Sequence, residues 1–391
     1  MNKNLRQFYL RDLIKIKNGK DYRTLELGSV PVYGTGGIIS YVNDSLYEGE
    51  SILLPRKGSL SNIMYVKDKF WTVDTMYWSE IKEEFAYPKY LYLYLSLLNL
   101  SHLDSGSTLP SMTFDSYYNI PISLPCMSVQ KEIGNLIFSI IDKIQNNKQQ
   151  IETLESLAKT IYDYWFVQFD FPNEDGRPYK SSGGKMVWNE ELKREIPEGW
   201  STNLLGKMCE CKLGGTPTRN NARYWNGDIN WINSGKVNDL RINECSEKIT
   251  KDGLKNTSTY LLPRNTVVLA ITGATLGQIS ILNIESCTNQ SVVGICETSE
   301  MPTEYIYPAL IISMKYLLNQ QTGAAQPHIN KNDIESLMIA LPTKSVMSKY
   351  KNTVKSVYQL IMTLCNENQK LSEQRDFLLP LLMNGQARFK D

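Results

Sequence analysis

Apolar residues recur at alternating steps of three and four positions in two long segments of the chain. The first segment lies between Pro125 and Pro172, and the second begins after Pro342. Such spacing places the apolar side chains on one stripe of a helix and is typical of a coiled-coil seam, here about four heptads long. The predicted seam positions are Ile137, Ile140, Ile144, Asn147, Ile151, Leu154 and Ile161 in the first stripe, and Val354, Val357, Ile361, Leu364, Asn368, Leu371 and Leu378 in the second.

The two stripes predict two long helices. The first is predicted over residues 128–166, a rod of roughly 58 Å at a rise of 1.5 Å per residue. The second is predicted to follow residue 343 and to be the shorter of the two, because Pro380 should end or kink it. Nothing inside a small globular domain needs such a rod, so the helices are expected to hold other modules.

Each stripe contains one asparagine, Asn147 or Asn368. A polar residue in a seam can fix the register of two helices at a cost in stability, or it can lie at a solvated edge of the seam.

Both long helices also carry apolar residues outside the seam. These residues can pack against the protein's own modules, or they can bind partner subunits. These residues are Leu136, Phe138, Ile141, Leu157, Tyr162 and Phe166 in the first helix, and Tyr358, Leu360, Phe377 and Leu379 in the second.

The chain also contains an internal duplication. Residues of the two halves match in the same order at offsets that change by 20 between Gly19 and Gly58 and by 2 later, which indicates two copies of one unit that diverged most between Gly19 and Gly58. The matching pairs include Pro125 with Pro342 at an offset of 217, Gly58 with Gly273 and Asp74 with Asn289 at 215, and Gly19 with Gly214 at 195.

Each copy begins with short strands, turns and a helix, and a long helix follows. Strands are predicted at 51–54, 62–66 and 266–271, and helices at 88–100 and 303–319. The expected fold is α+β, with two globular α/β domains in tandem separated along the chain by long helices. The predicted boundaries are 1–125 and 200–342 for the two domains, 126–199 for the central helix and its linker, and 343–391 for the C-terminal helix.

The amino-acid composition does not indicate a specific class of protein or partner. Hydrophobic residues make up 42% and charged residues 21%, and the formal net charge is +1. No apolar run approaches the roughly 18 residues that span a membrane, and the first residues lack a signal-peptide pattern. Seven cysteines at irregular spacing do not suggest a disulfide framework, so we expect a cytoplasmic protein with reduced thiols. A nucleic-acid binder with this charge must cluster its basic residues or share phosphate contacts with a partner.

A search for catalytic residue patterns finds none. The chain has two histidines, His102 and His328, which leaves little for a histidine triad or a catalytic zinc site. Cys209 and Cys211 have the wrong spacing for a zinc knuckle and are expected to be buried free thiols. The glycine-rich turns lack the lysine and hydroxyl residue of a phosphate loop. These absences favour a binding protein, and no cofactor or metal is expected.

Polar and basic turns occur in both copies. Arginine, lysine, asparagine and glutamine can contact base edges, whereas lysine, serine and threonine suit phosphate contacts. Each such turn alone is weak evidence, because surface turns are polar in most proteins. The candidate DNA-binding residues are Lys20, Arg23, Arg56, Lys57, Ser59, Ser107 and Thr108 in the first copy, and Thr216, Arg219, Arg223, Lys236, Thr272, Thr275, Gln326, His328, Asn330 and Lys331 in the second.

Several stretches make the chain resemble the specificity subunits of type I restriction-modification systems. They are Tyr-Trp-Phe-Val-Gln-Phe-Asp-Phe-Pro at 164–172, Gly-Thr-Pro-Thr-Arg at 215–219, the turn at 322–329 and the ending at 378–385. The resemblance covers essentially the whole chain. The first module departs from it, since Lys20-Asp-Tyr-Arg23 stands in place of the Thr-Pro-x-Arg turn.

The resemblance implies a function. Each module would be a target-recognition domain that reads one half of a bipartite site in double-stranded DNA, and the helices would pack as an antiparallel coiled coil that sets the spacing. Two methyltransferase (modification) subunits would dock on the chain, and two restriction subunits would join through them. The methyl donor, ATP and magnesium would belong to those partners.

The symmetry of a DNA duplex favours the same geometry. Two copies that engage a duplex equivalently, in opposite directions, are related by a two-fold axis perpendicular to the DNA, and helices related by that axis run antiparallel. Two other functions stay open: a self-sufficient DNA methyltransferase or nuclease, which would need a catalytic motif, and a duplicated protein-binding scaffold, which would show no sequence preference for DNA and no steep salt dependence.

Overall fold

A computed structural model describes residues 5–100, 111–238, 240–320 and 329–387. The chain divides into two compact units, one made of Met1–Gln145 with Lys370–Asp391 and the other of Asn146–Gln369. Two long helices contribute residues to both units: α4 (Met127–Tyr162), which continues into a π-helical turn at Asp163–Val167, and α9 (Lys344–Met383). None of the helices in these ranges is long and apolar enough to cross a membrane.

The first unit contains two small sheets and short helices. Their strand orders are β2-β9-β6-β7 and β4-β3-β8-β5, and β1 pairs separately with β10. The elements are β1 (Arg6–Tyr9), α1 (Leu10–Leu13), β2 (Ile14–Lys17), β3 (Leu27–Gly34), β4 (Gly37–Val42), β5 (Tyr47–Glu48), β6 (Ser51–Pro55), β7 (Met64–Val66), β8 (Lys69–Thr72), β9 (Met76–Ile81), α2 (Pro88–Ser96), α3 (Phe114–Tyr118) and β10 (Pro121–Leu124).

The second unit repeats this arrangement. Its sheets have the orders β14-β21-β18-β19-β16 and β17-β15-β20, and β13 pairs with β22 as β1 pairs with β10. The elements are β11 (Met186–Asn189), β12 (Arg194–Pro197), β13 (Ser201–Leu204), α5 (Leu205–Met208), β14 (Cys211–Leu213), β15 (Trp225–Ile232), β16 (Arg241–Ile242), β17 (Glu247–Ile249), α6 (Lys251–Lys255), β18 (Val267–Ala270), β19 (Ile279–Leu282), β20 (Cys287–Thr288), β21 (Val292–Ile295), α7 (Thr303–Gln320), α8 (Lys331–Glu335) and β22 (Met338–Leu341).

The predicted elements are present, with shifted ends. The strand expected at 62–66 begins at Met64, because Asn62 and Ile63 donate backbone hydrogen bonds to Ser59 and Ser61 in a turn. The helix expected at 88–100 ends at Ser96. The α+β class, the two modules and the internal repeat are confirmed.

The two long helices run antiparallel within the second unit. Asn147 lies against Asn368, with 2.9 Å from Nδ2 to Oδ1, whereas the rings of Trp165 and Tyr350 lie 5.6 Å apart, nearer the start of α9. The seam residue Asn147 is fully buried and also donates to Glu367 Oε2 at 2.8 Å. Asn147 therefore belongs to a buried polar layer rather than to a solvated edge. The predicted seam residues are buried or half-buried throughout both stripes.

Of the two expected effects of Pro380, an end to the second helix is wrong, whereas a kink stays a prediction. Helix α9 runs through Pro380 to Met383 and has 40 residues, against 36 in α4 and five in its π-helical turn. A proline so close to a helix end removes a single backbone donor. Leu379 and Leu382 are buried in the core of the first unit, which favours continuing the helix for another turn. The helix then stops beside Gly385, whose φ of 69° lies in the left-handed region.

The off-seam apolar residues divide into two groups. Phe138 and Leu379 are buried in the core of the first unit, Leu136 and Ile141 are partly buried against that core, and Tyr162, Phe166 and Tyr358 are buried in the core of the second unit. Three residues remain largely exposed, with 46% exposure for Leu157, 45% for Leu360 and 67% for Phe377. Packing against the protein's own modules therefore explains the first group and leaves the second group available to solvent.

Candidate nucleic-acid interface

One exposed turn has the same backbone hydrogen bonds in both modules. In the first module it is the turn 73–75, and in the second it is the turn 289–291. Val73 N donates to Tyr33 O and Met76 N to Val73 O, just as Asn289 N donates to Ile232 O and Val292 N to Asn289 O. Two neighbouring loops bond to the turn in equivalent ways: Arg56 N donates to Thr75 O as Ile271 N donates to Ser291 O, and Lys20 N donates to Thr72 O as Gly215 N donates to Thr288 O. We call this set of bonds the shared frame.

The shared frame explains two glycine pairs of the repeat. A Cβ at Gly19 would lie 2.0 Å from Val73 O, and one at Gly214 would lie 2.2 Å from Asn289 O, so neither position can hold a side chain. Gly58 and Gly273 have φ of 90° and 75°, the left-handed region that glycine adopts without strain. At Gly58 and Gly273 the chain reverses direction beside the turns 73–75 and 289–291.

The frame also corrects one pair of the sequence repeat. Asp74 was matched with Asn289, but the hydrogen bonds align Val73 with Asn289 and Thr75 with Ser291. Asp74 therefore corresponds to Gln290. Both of these side chains are exposed at the tip of the turn.

Three candidate loops of the second module lie beside this turn. Thr216 Oγ1 donates to Gln290 Oε1 at 2.5 Å. The 3₁₀ turn Ser234–Lys236 begins just after Ile232, which pairs with Thr288, and the 3₁₀ turn Gly273–Thr275 follows Ile271. Thr272 and Thr275, on this second turn, are half-exposed. The structure therefore brings Thr216, Lys236, Thr272 and Thr275 to one side of the module.

The first module has a matching arrangement. The turn 56–59 carries Arg56, Lys57 and Ser59, and the Nη1 atom of Arg56 donates to Asp74 O at 3.3 Å. Asn62 Nδ2 donates to Thr35 O at 2.5 Å, so the tip of the β3–β4 hairpin lies beside this turn. Lys20 N donates to the backbone carbonyl of Thr72, which directly precedes the turn 73–75, so the loop of Lys20 also lies beside that turn.

Four of the basic candidates are paired with acids. Arg23 contacts Asp21 at 2.8 Å, Lys236 contacts Glu244 at 2.6 Å, Lys331 contacts Glu335 at 3.2 Å and Arg219 contacts Glu247 at 2.6 Å. The hydrogen bond between the Arg23 and Asp21 side chains raises the pKa of Arg23 and lowers the pKa of Asp21 to about 2. Sequence reasoning did not predict these pairs, because Glu247 lies 28 positions from Arg219 and the nearer acids Asp21, Glu244 and Glu335 belong to no motif.

Arg219 is the most constrained of the basic candidates. Its guanidinium carbon lies 3.9 Å from the ring centre of Trp225 and 5.0 Å from that of Trp231. The two indole N–H groups donate to Thr218 O at 3.3 Å and Gly215 O at 3.1 Å. The hydrogen bond to Glu247 raises the pKa of Arg219. Arg219 therefore stabilises its own loop, because its guanidinium already contacts the two indole rings and pairs with Glu247.

Other basic candidates have no acidic partner among the described residues. Within the ranges that the structure describes, Lys20, Lys57 and Arg223 are exposed and form no ion pair. The guanidinium of Arg56 lies 5.8 Å from the ring centre of Tyr77. These residues are the better candidates for contacts with a phosphate backbone.

The remaining candidates have other roles or lie outside the described ranges. Asn330 caps helix α8, accepting a hydrogen bond from Asp333 N at 3.1 Å, so its amide oxygen serves the fold. Ser107, Thr108, Gln326 and His328 lie outside the described residues, as does the other histidine, His102. Cys209 and Cys211 are buried free thiols, as predicted, and burial raises the pKa of each to about 12.

Comparisons with known proteins agree with the duplicated fold. Residues 2–156 and 197–373 match the family model described as type I restriction modification DNA specificity domain. The type I restriction enzyme MjaIX specificity subunit of Methanocaldococcus jannaschii is 23% identical over 348 residues, covering 87% of this chain and 78% of the relative. The HindI specificity subunit of Haemophilus influenzae is 25% identical over 333 residues, covering 72% of each chain.

A solved structure shares the fold. The crystal structure of the type I restriction-modification S subunit from M. genitalium superposes with a TM-score of 0.63 at 15% identity, covering 100% of this chain and 97% of that one. The two matched segments correspond to the two copies of the repeat, and each contains one copy of the shared frame. The chain therefore belongs to the family of type I restriction-modification DNA specificity domains.

Proposed function

We propose that this chain is the DNA-recognition subunit of a type I restriction-modification complex, with one recognition domain in residues 1–125 and another in 200–342. The observation that carries the proposal is the shared frame, which presents an exposed polar turn among basic loops in both modules. Each module reads one half of a bipartite site in double-stranded DNA. The chain supplies recognition, and the chemistry belongs to its partners.

The antiparallel helices set the spacing of the two half-sites in this proposal. Two equivalent readers that face opposite directions on a duplex need a two-fold relation, and antiparallel helices satisfy it. Half-sites then lie about one helical turn, roughly 34 Å, apart. The antiparallel contacts of Asn147 with Asn368 and of Trp165 with Tyr350 support this part of the proposal.

Partner subunits complete the proposed complex. Two methyltransferase subunits bind this chain, and two restriction subunits join through them. The exposed apolar residues Leu157, Leu360 and Phe377 on the long helices support docking of a protein partner there. The net charge of +1 also fits a chain that shares phosphate contacts with a partner. The complex acts on chromosomal DNA in the cytoplasm, where the free thiols stay reduced.

The test uses the full chain produced together with its methyltransferase partner. We expect sequence-selective binding to a library of random duplexes, with two defined halves separated by a fixed spacer, and affinity that falls steeply with salt. Replacing residues 200–342 by the corresponding module of a relative should change one half of the selected sequence. Binding without sequence preference would favour a protein scaffold, and methylation by the purified chain alone with a methyl donor would favour an enzyme.

A further inference from the structure

Asp74 and Gln290 occupy the same place in two copies of one backbone. The shared frame holds residues 73 and 75 by the same hydrogen bonds as residues 289 and 291. The flanking glycines Gly19 and Gly214 allow the closest approach of a neighbouring loop to this turn in each module. The duplication has therefore kept the backbone of the turn while its exposed side chain became an acid in one module and an amide in the other.

Both side chains stand among groups suited to DNA. Asp74 lies between the loop of Lys20 and the turn of Arg56 and Lys57, whose positive charges offset repulsion between a carboxylate and a phosphate backbone. Gln290 accepts a hydrogen bond from Thr216, which orients its amide before any ligand binds. An exposed side chain that is oriented in advance loses less conformational entropy on binding.

The two side chains have different hydrogen-bonding capacities. An ionised aspartate only accepts hydrogen bonds, and its usual partner in the major groove is the N4 amino group of cytosine. A glutamine amide both donates and accepts, which matches the N7 and N6 atoms of adenine. We propose that this turn is a base-reading element in both modules, in which Asp74 recognises a cytosine in one half-site and Gln290 an adenine in the other. The inference rests on the proposed function.

Isosteric substitutions test the inference without changing the fold. Gln290→Glu keeps the oxygen that accepts from Thr216 but removes the amide donor. Asp74→Asn adds a donor at the equivalent position. The full chain with its methyltransferase partner is tested against duplexes in which each position of the wild-type site is varied in turn. Gln290→Glu should change the preference at one position from adenine to cytosine, and Asp74→Asn should make the reverse change in the other half-site, each by about tenfold to a hundredfold.

Matched controls carry the same charge changes elsewhere on the surface. They are Gln168→Glu in the second unit and Asp68→Asn in the first, both at exposed positions, and neither should alter base preference. If the wild-type chain selects a sequence but both turn variants keep its preference, or weaken binding to all duplexes equally, the inference is wrong and the proposed function stands. A wild-type chain that selects no sequence overturns the proposed function itself. Thermal unfolding of every variant verifies that it is folded.

Discussion

The hydroxyl of Tyr350 donates a hydrogen bond to the backbone carbonyl of Glu304 at 3.1 Å. This carbonyl would ordinarily accept from the amide four residues later in helix α7, but that residue is Pro308, which has no N–H group. Tyr350 is fully buried and belongs to helix α9, so a side chain of the long helix satisfies a backbone acceptor in the module. Burial raises the pKa of Tyr350 well above its ordinary value, and the hydroxyl remains a donor at any physiological pH.

Tyr350→Phe should lower the free energy of unfolding of the second unit by about 1–2 kcal/mol, because it removes the side-chain donor to the half-buried Glu304 carbonyl. Urea unfolding measures the change. In a Pro308→Ala background, where a backbone N–H returns, the same substitution should cost less. Tyr358→Phe is a matched control in the same helix, since Tyr358 is buried but its hydroxyl makes no hydrogen bond within the described residues. An equal cost in both backgrounds would show that Tyr350 does not replace the missing donor.

Asn147→Leu combined with Asn368→Leu should give a more stable second unit than either single substitution. Each single change leaves one asparagine without its asparagine partner, at a cost of about 1–3 kcal/mol, whereas the pair extends the apolar seam of Ile151 and Leu154. The hydrogen bond from Asn147 to Glu367 is lost in both proteins that carry Asn147→Leu. Urea unfolding of the four proteins gives the coupling energy. Asn146→Leu, an exposed neighbour, is the control and should have little effect. Additive effects would mean that the two asparagines do not interact.

Arg219→Ala should weaken specific DNA binding by roughly 1–3 kcal/mol through loss of its loop's shape. Because Glu247 already neutralises the guanidinium, the dependence of affinity on salt should change little. Lys57→Ala is the comparison, since Lys57 has no ion pair within the described residues and should reduce the salt slope by about one if it contacts a phosphate. Binding across a salt series measures both. A clear drop in the salt dependence of affinity for Arg219→Ala would indicate that the guanidinium contacts a phosphate directly. An unchanged affinity would mean that Arg219 is a surface residue with no part in DNA binding.

Cys126 should react with iodoacetamide before Cys209, Cys211 and Cys287. Cys126 is exposed, and a hydrogen bond with the Ser128 hydroxyl lowers its pKa, so it has more of the reactive thiolate near pH 8. Burial raises the pKa of Cys209 and Cys211 to about 12 and that of Cys287 to about 11, so these thiols stay protonated until the protein unfolds. Mass spectrometry of alkylated peptides with and without urea measures the order. Rapid labelling of Cys211 in the folded protein would contradict the burial that the structure assigns to it.

Periodicity and repetition in the sequence were sufficient to determine the architecture. The apolar stripes depend on local spacing, which predicted both long helices, and the offsets between matching residues predicted two copies of one module. Gly19, Gly58, Gly214 and Gly273 were visible as repeat positions because a backbone requirement leaves the same residue in both copies. The prediction that Pro380 ends the helix was wrong, because local helix propensity does not include the burial of Leu379 and Leu382.

Only the tertiary structure decided which loops meet and which charges are free. Thr216 and Gln290 are 74 positions apart, and Arg219 and Glu247 are 28 apart, so no local pattern could join them. The one-residue shift that aligns Asp74 with Gln290 became visible through backbone hydrogen bonds rather than residue identity. Contacts between distant segments depend on how strands pair, and pairing is a property of the folded chain. For this reason the sequence determined the class of protein, whereas the folded structure identified the exposed side chains that we propose as readers of DNA.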